Sequence, residues 1–253
     1  MQNVFTGLVA ARYDEDCASI STEEALSPML DVLEELAAGG AALEFAIGTG
    51  RVGLPLAGRG VPVTGIELSE DMVDELRRKP GGDALPVIIG DMATTTVPGT
   101  YNLVYLVFNT LSNLIEQDEQ VACFANAAAH LAPGGVFVVE QGEPDLRRFP
   151  PGAVAVPFEI SDGHLGFDTY DLVTQHLTSH HYRVGDRELL ASHHRWVWFG
   201  EMDLMARLAS LRLQDRWADW QRTAPDNEHT GAVSIFVKDS WPAPVSGSGL
   251  VRE

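Results

Sequence analysis

The sequence predicts an α/β fold built on a doubly wound parallel sheet. Apolar, strand-like segments alternate with amphipathic helical segments through the first part of the chain. Because helices separate the successive strands, the strands are expected to run parallel, with helices on both faces of the sheet. The predicted strands cover residues 41–47, 61–67, 85–89, 101–108 and 136–141.

Capping residues indicate where the helices begin. Ser21 and Glu24 have capping-box spacing, so a helix is expected to start near Ser21. Ser69 is a second expected N-cap, and Glu70 and Asp71 after it complement the positive end of the helix dipole. Pro-Gly-Gly sequences end the helices that precede the third and fifth strands.

The alternation stops after the fifth strand. A Pro-rich stretch at 142–155 is expected to be a loop, and residues 156–199 alternate like strands without intervening helices. Within them, 176–184 and 188–199 are interpreted as a hairpin that turns at 184–187. We expect this insert to form an antiparallel sheet over the carboxyl-terminal edge of the main sheet, where parallel α/β folds bind ligands, and to close an acceptor pocket.

The end of the chain returns to the main sheet. Helical periodicity is predicted at 202–211, and two further strands are predicted at 213–220 and 232–238. The predicted organisation is a main domain at 1–141 and 200–238, an antiparallel insert or acceptor lid at 142–199, and a flexible tail at 239–253.

Composition narrows the classes of function. The formal net charge is −19, and a field of this sign repels phosphate backbones and anionic membranes. No apolar stretch is long enough to span a bilayer, and no signal-peptide pattern opens the chain. The only cysteines are Cys17 and Cys123, so a reducing, cytoplasmic compartment is expected. A small-molecule partner is favoured over nucleic acid or a membrane.

The chemistry of the sequence centres on a glycine turn. Gly48, Gly50 and Gly53 follow the first strand and open a short helix, so the backbone can approach a ligand at a helix amino terminus. This spacing also matches the dinucleotide fingerprint and does not by itself separate NAD from S-adenosylmethionine (SAM). A third interpretation of these glycines is a turn that binds no ligand.

Acidic residues near the ends of three consecutive strands favour SAM. Glu44 lies in an apolar strand, where its carboxylate needs a partner that the amine of SAM would supply and the pyrophosphate of NAD would not. Glu67 can accept hydrogen bonds from both ribose hydroxyls. Asp91 can accept one from the adenine amino group, with Met92 packed on the ring. The alternatives are an exposed loop acid at Glu67 and a simple turn at Gly90–Asp91.

With these motifs, the sequence resembles the class I, Rossmann-like SAM-dependent methyltransferases of the small-molecule type. Residues 43–57 are similar to the first family motif, roughly E-x-G-x-G-x-G. Residues 63–72 and 90–92 are similar to the second and third motifs, and 131–137 to the turn before strand five. Ala46 stands where the family usually has its first glycine, which fits if Ala46 is still in the strand with a negative φ. The resemblance implies a seven-stranded, mostly parallel sheet whose last strand is antiparallel.

The resemblance also implies SAM as cofactor, S-adenosylhomocysteine as product, and a set of binding residues. The glycine turn would face the methionine part, the second and third motifs would hold ribose and adenine, and the end of strand four would line the transfer site. An aromatic residue near the amino terminus would cover the cofactor, although a plain core or surface tyrosine is an equal alternative there. The implied cofactor-binding residues are Tyr13, Glu44, Ala46, Ile47, Gly48, Gly50, Arg51, Glu67, Leu68, Met72, Asp91, Met92, Val107, Phe108 and Asn109.

The sequence leaves the methyl acceptor open. The Asn/Asp-Pro-Pro-Tyr/Phe motif that the family uses on planar amino groups is absent after strand four, which disfavours nucleobases and glutamine amides. The hypothesis is transfer to O or N of a small molecule. The alternatives are an NAD(P)-dependent oxidoreductase and a non-catalytic SAM- or nucleotide-binding module, and the oligomeric state is open.

Histidines in the predicted hairpin are the candidates for a catalytic base. His176 and His180 are expected on one face of a strand and His181 on the other, and His193 and His194 follow on the next strand. One of them could line the acceptor pocket as a general base. The alternatives are a polar hairpin without catalytic function and a zinc site, and no metal is expected because the spacing is irregular and cysteine is absent there.

Overall fold

The computed structural model describes residues 4–149, 151–183, 185 and 189–239. The helices are α1 (Leu8–Asp16), α2 (Glu23–Ala37), α3 (Gly53–Gly58), α4 (Glu70–Arg77), α5 (Gln117–His130) and α6 (Phe199–Leu208). The strands of the main sheet are β1 (Ala42–Phe45), β2 (Val63–Glu67), β3 (Val87–Ile89), β4 (Tyr101–Leu106), β5 (Leu131–Gly142), β10 (Leu211–Trp217) and β11 (Gly231–Lys238). The strands of the insert are β6 (Ala155–Ile160), β7 (His164–Asp171), β8 (His176–Arg183) and β9 (Leu189–Arg195).

The main sheet has seven strands in the order β10-β11-β5-β4-β1-β2-β3. The pairs among β1 to β5 are parallel, whereas β11 is antiparallel to both of its neighbours, β5 and β10. The predicted fold class is therefore confirmed, including the antiparallel last strand. The order places the carboxyl ends of β1, β2 and β4 side by side, and ligands bind at this edge in such folds.

Helices cover both faces of this sheet, because successive side chains of a strand point to opposite faces. In β4, Val104 and Leu106 pack into the core layer beneath α5 and α6. Leu103 and Tyr105, the alternate residues, pack into the layer beneath α2 and α3. Burial on both faces explains why the parallel strands are continuous apolar runs in the sequence.

The two predicted helix caps differ in outcome. Ser69 caps α4 as expected, since its Oγ accepts a hydrogen bond from the Met72 N–H at 3.3 Å. The start of α2 is one residue later than predicted, because Thr22 is the N-cap and its Oγ1 accepts from the Ala25 N–H at 3.2 Å. The Ser21 hydroxyl instead donates to the Cys17 carbonyl, 2.8 Å away, and closes the preceding turn.

The insert is a four-stranded antiparallel sheet in the order β6-β7-β8-β9, so the predicted antiparallel insert is confirmed. It contains two more hairpins than the sequence predicts, because β7 pairs with both β6 and β8. The turn predicted at 184–187 falls largely outside the described residues, as does the tail beyond residue 239. None of the described helices has both the length and the apolar composition needed to cross a membrane.

Candidate cofactor and acceptor site

The glycine turn after β1 has the geometry of a close backbone approach. Gly48 and Gly50 have φ of 58° and 78°, a region that glycine adopts without steric cost. Ala46 also has a positive φ, 52°, so the expectation that it extends the strand with a negative φ is wrong. The physical reason is that β1 ends at Phe45, which places Ala46 in the turn, where a left-handed alanine costs about 1–2 kcal/mol.

A cavity lies at this turn, at the carboxyl ends of β1 and β2, and is called the cofactor cavity. The predicted binding residues that line it are Tyr13, Ala46, Gly48, Glu67, Leu68, Met72 and Met92. The other lining residues were not among the predicted cofactor-binding residues, and they are Val4, Phe5, Ile66, Gly90, Thr110, Asn113, His193 and His194. Besides Ile66 and Gly90, which belong to the second and third motifs, they come from the amino terminus, the segment after β4 and strand β9, so tertiary packing brings three distant parts of the chain to these motifs.

Glu67 is held in place by the backbone around the cofactor cavity. Its Oε2 accepts a hydrogen bond from the Gly48 N–H at 2.7 Å, and its Oε1 accepts one from the Ser69 N–H at 2.9 Å. The side chain lines the cavity and is 6% exposed, so the alternative of an exposed loop acid is wrong. Burial raises the pKa of Glu67, while the backbone N–H groups of Ser69 and Gly48 act in the opposite direction.

Glu44 has a partner within the protein. It is 3% exposed, and its Oε2 accepts a hydrogen bond from the Tyr105 hydroxyl at 2.9 Å. Burial raises the pKa of Glu44 to about 8, and the bond from Tyr105 opposes that shift. Tyr105 lies on the neighbouring strand β4. The sequence did not predict this partner within the protein, and the contact of Glu44 with the amine of SAM stays a prediction.

Three more of the predicted binding residues make contacts within the protein. Ile47 and Arg51 belong to the glycine motif, and Asp91 follows β3. Ile47 packs against the α-carbon of Gly65, where an added Cβ would come within 2.6 Å of the isoleucine Cγ2. The Arg51 guanidinium donates to the Ile20 carbonyl, 3.4 Å away. Asp91 closes a turn, as its Oδ1 accepts from the Ala93 N–H at 2.8 Å, which matches the simple-turn alternative for this residue.

The end of β4 turns away from the cofactor cavity. Val107 is buried in the core, whereas Phe108 and Asn109 line a different cavity of about 370 Å³ beside β5 and β11. Both have positive φ, 61° and 57°, and this reverses the chain direction directly after the strand. Glu140 fixes the reversal by accepting from the Phe108 N–H at 2.7 Å. Thr110 and Asn113, in the following 3₁₀ turn, line the cofactor cavity, and the placement of Val107, Phe108 and Asn109 at the transfer site stays a prediction.

The cofactor cavity fits the chemical groups of SAM. The Glu67 carboxylate is a paired acceptor suited to two adjacent hydroxyl groups, as in ribose. Leu68, Met72 and Met92 offer apolar surface for a flat aromatic ring. At Gly48, an added Cβ would come within 3.2 Å of the Met72 Cε, so the glycine keeps this wall open. Carboxylate, apolar wall and glycine turn thus meet in one cavity.

The two faces of the insert sheet differ in their surroundings. By strand alternation and pairing register, the residues of the inner face include His164, Asp168, Ser179, His181, Ser192 and His194. Of these, His164 and His181 line a second cavity of about 800 Å³, and His194 lines the cofactor cavity. The second cavity, here called the insert cavity, lies between this face and α1.

The predicted catalytic candidates divide between these faces. His181 is on the inner face, whereas His176 and His180 are on the opposite face and line neither the cofactor cavity nor the insert cavity, so the structure does not support them as base candidates. The His176 Nε2 lies 2.8 Å from the Ile115 carbonyl oxygen, and His180 stacks on Phe167 with ring centres 4.6 Å apart. The sequence analysis included His194 in the histidine cluster without singling it out, and strand parity, which puts it on the same face as the buried Trp196, is the signal that favours it. The described residues contain no cluster of three His, Cys, Asp or Glu side chains suited to a metal ion.

Comparison with known proteins identifies the class. Residues 42–135 match the family model described as a methyltransferase domain. The structure is similar to the CcbJ methyltransferase from Streptomyces caelestis, with a TM-score of 0.74 and 34% identity, over 84% of this chain and 88% of that one. A cypemycin N-terminal methyltransferase from a Streptomyces species is 28% identical over 68% of this chain and 72% of its own length.

A further relative is a dTDP-3-amino-3,6-dideoxy-α-D-glucopyranose N,N-dimethyltransferase from Streptomyces fradiae. It is 36% identical over 45% of this chain and 43% of its own length. The chain therefore belongs to the class I SAM-dependent methyltransferases of the small-molecule type. It is an enzyme whose methyl donor is SAM, and the alternatives of an oxidoreductase and a non-catalytic module are set aside.

Proposed function

We propose that the enzyme methylates an amine nitrogen of a small, cationic acceptor. Two relatives support nitrogen over oxygen, because their names specify an N-terminal amine and an amino sugar. The net charge of −19 supports a cationic acceptor, since a negative field raises the local concentration of cations and repels anions.

The observation that carries this proposal is the insert cavity beside the cofactor cavity. On α1, Arg12 lines the insert cavity and the next residue, Tyr13, lines the cofactor cavity. On β9, Leu190 lines the insert cavity and His194 lines the cofactor cavity. A volume of about 800 Å³ is in the range of pockets that bind small molecules. An acceptor seated in the insert cavity would present its nitrogen to the cofactor cavity next to it.

Within this site, the chain itself would bind and orient both substrates. When bound, SAM supplies a methyl group on a positively charged sulfur, which is open to in-line attack by a nucleophile. Glu67 would hold the cofactor ribose, and Leu68, Met72 and Met92 would enclose the ring. Residues 142–199 would act as the acceptor lid, because their inner face walls the insert cavity and limits the access of water.

The test of this function is a screen of matched acceptors at saturating SAM. Small amines, including amino sugars and peptides with a free amino terminus, are paired with their hydroxyl counterparts, and methylated products are measured by mass spectrometry. Turnover of at least one amine, with none of its hydroxyl counterpart, is expected. Methylation of hydroxyl acceptors alone would overturn the assignment to nitrogen. The matched control is Gly48→Asp, which would place a carboxylate in the cofactor cavity and abolish turnover of every acceptor.

We also infer that the enzyme works in the cytoplasm of a bacterial cell. Cys17 and Cys123 are both buried free thiols, which suits a reducing compartment. The relatives named above that come from an identified genus are Streptomyces proteins. The negative charge supports a small-molecule partner rather than nucleic acid or an anionic membrane.

A further inference from the structure

We propose that the inner face of the insert sheet is a proton relay, which carries a proton from the acceptor amine at His194 to the protein surface at Glu159. The inference rests on the proposed methylation of an amine. Transfer of a methyl group to an ammonium acceptor releases one proton in each turnover, and a closed acceptor pocket needs a route for it. The inner face offers two hydrogen-bonded series, one from solvent and one from the cofactor cavity, that meet at the paired residues Ser179 and Ser192.

The outer half of the relay is a continuous series of hydrogen bonds across three strands. The Glu159 Oε2 lies 2.8 Å from the His164 Nδ1, and the His164 Nε2 lies 3.1 Å from the His181 Nδ1. The His181 Nε2 then lies 3.2 Å from the Ser179 Oγ. Each imidazole uses both nitrogens, so it can take a proton on one side and release it on the other. Glu159 is 49% exposed and connects the series to water.

The inner half joins this series to the cofactor cavity. The Ser192 Oγ lies 2.8 Å from the His194 Nε2, and His194 lines the cavity. Ser179 and Ser192 are directly paired positions of β8 and β9, whose Cβ atoms are typically about 4.5–5.5 Å apart. One bridging water or a turn of the hydroxyl groups spans that separation.

Asp168 supplies a negative charge in the middle of the relay. It is paired with Ser179, so Asp168, Ser179 and Ser192 form one row across three strands. Its Oδ1 is buried and has no hydrogen-bond partner among the described residues, while its Oδ2 accepts from the Tyr170 hydroxyl at 3.2 Å. A buried, unpaired carboxylate oxygen favours a positive charge nearby. It therefore stabilises an imidazolium while a proton passes.

Burial favours neutral, proton-accepting rings at two of the three relay histidines, His181 and His194. Burial lowers the pKa of His181, with further lowering by His164 and Arg183, whereas Asp168 and Glu159 act in the opposite direction.

Burial also lowers the pKa of His194; His193 and His181 add to this shift, and Asp168 opposes it. A ring that is neutral at neutral pH can serve as a base towards an ammonium group.

The reaction releases one proton from the acceptor in each turnover, and this proton must leave the site. An ammonium acceptor gives a proton to the neutral His194, and the freed lone pair forms a bond to the methyl carbon. The bond from that carbon to sulfur breaks, and its electron pair stays on sulfur, which becomes neutral. The product is a methylated ammonium ion, so one proton has left the acceptor. It moves from His194 through the serines, His181 and His164 to Glu159 and water, which restores the neutral ring.

The relay is tested by breaking it at a distance from the cofactor cavity. His181→Gln and Ser179→Ala leave His194 and the cofactor cavity intact, and the matched control is His180→Gln, the adjacent residue on the opposite face. With an amine from the acceptor screen, each relay variant should lower kcat at pH 7 by about tenfold or more, with little change in the acceptor KM. The loss should shrink above about pH 9, where the free amine is more abundant in solution. The control should keep the wild-type kcat.

Three results would overturn the relay. Unchanged kcat in both relay variants excludes proton transfer through them, while amine methylation by the wild type still stands. An altered KM with an unchanged kcat shows that these residues only bind the acceptor. The third readout needs no acceptor: ¹⁵N spectra of the histidine rings with S-adenosylhomocysteine bound should shift at His181 in Ser179→Ala and at His194 in Ser192→Ala. Unmoved resonances would exclude the hydrogen bonds. Absence of any amine turnover by the wild type would instead overturn the proposed function.

Discussion

Replacing Glu67 by alanine should weaken both the folded state and cofactor binding. From the sequence alone, this substitution is expected to leave the stability of the ligand-free protein almost unchanged. The structure changes that expectation, because the carboxylate accepts hydrogen bonds from the backbone N–H groups of Gly48 and Ser69. Leaving both donors without a partner costs about 1–3 kcal/mol each.

The net loss in the free energy of unfolding is smaller than the sum of the costs for these two hydrogen bonds. Burial raises the pKa of Glu67, so the ionised group is itself disfavoured there, and its removal returns part of the cost. We expect a net loss of about 2 kcal/mol in the free energy of unfolding, which lowers the melting temperature of a chain of this size by about 4–8 °C. The affinity for SAM should fall by about 1–3 kcal/mol through loss of the ribose contact.

Two assays separate these effects. Calorimetry without ligand gives the melting temperature, and isothermal titration with SAM at a temperature well below unfolding gives the affinity. The matched control is Glu70→Ala, an exposed acid in the first turn of α4, whose effect on stability should stay within about 0.5 kcal/mol. A Glu67→Ala variant with an unchanged ligand-free melting temperature would refute the argument from the two backbone bonds. An unchanged affinity for SAM would refute the contact between Glu67 and the cofactor ribose.

Two further predictions concern the glycine turn and the acid before it. Because burial raises the pKa of Glu44 to about 8, the folded protein retains a proton between pH 4.5 and 8 that the unfolded chain releases, and stability should fall as pH rises through this window. Glu44→Gln should remove most of that slope in urea unfolding at pH 6 and pH 8, and an equal slope in wild type and variant would contradict the assignment. Ala46→Gly removes the steric cost of a left-handed alanine but makes the unfolded chain more flexible. The melting temperature of this variant should therefore rise by about 1–2 °C. A lower melting temperature would show that the alanine methyl group contributes packing.

Much of the fold can be predicted from the sequence, because it follows from local patterns. Buried parallel strands are apolar runs of four to eight residues, and the helices between them carry an apolar stripe, so the order of β1 to β5 is visible without coordinates. The cap at Ser69 and the acid at Glu67 are also local, since they lie at the boundary between a strand and a helix. These features locate the carboxyl-terminal edge of the sheet and therefore the cofactor cavity.

Residues whose roles depend on distant parts of the chain could not be predicted in this way. Tyr105 donates its hydroxyl hydrogen bond to Glu44 across 61 positions, and no local pattern links the two. Phe108 and Asn109 line the cavity beside β5 and β11, because Glu140 on β5 holds a backbone reversal after β4. Thr110, in the next turn, lines the cofactor cavity.

The sequence by itself determined the class of fold, the glycine turn and the acid that ends β2, because helical and strand periodicity and capping act within a few residues. Tertiary structure decided which histidines share a face with the acceptor site. Strand alternation separates His180 from His181, but only the packing of the insert against α1 makes one face the inner one. Pairing register then placed Ser179 of β8 opposite Ser192 of β9, which joins the contact of His181 with Ser179 to the contact of Ser192 with His194 at the cofactor cavity. The physical reason is that a side chain's direction is set by its own backbone, whereas what it meets there is set by segments that are distant in sequence.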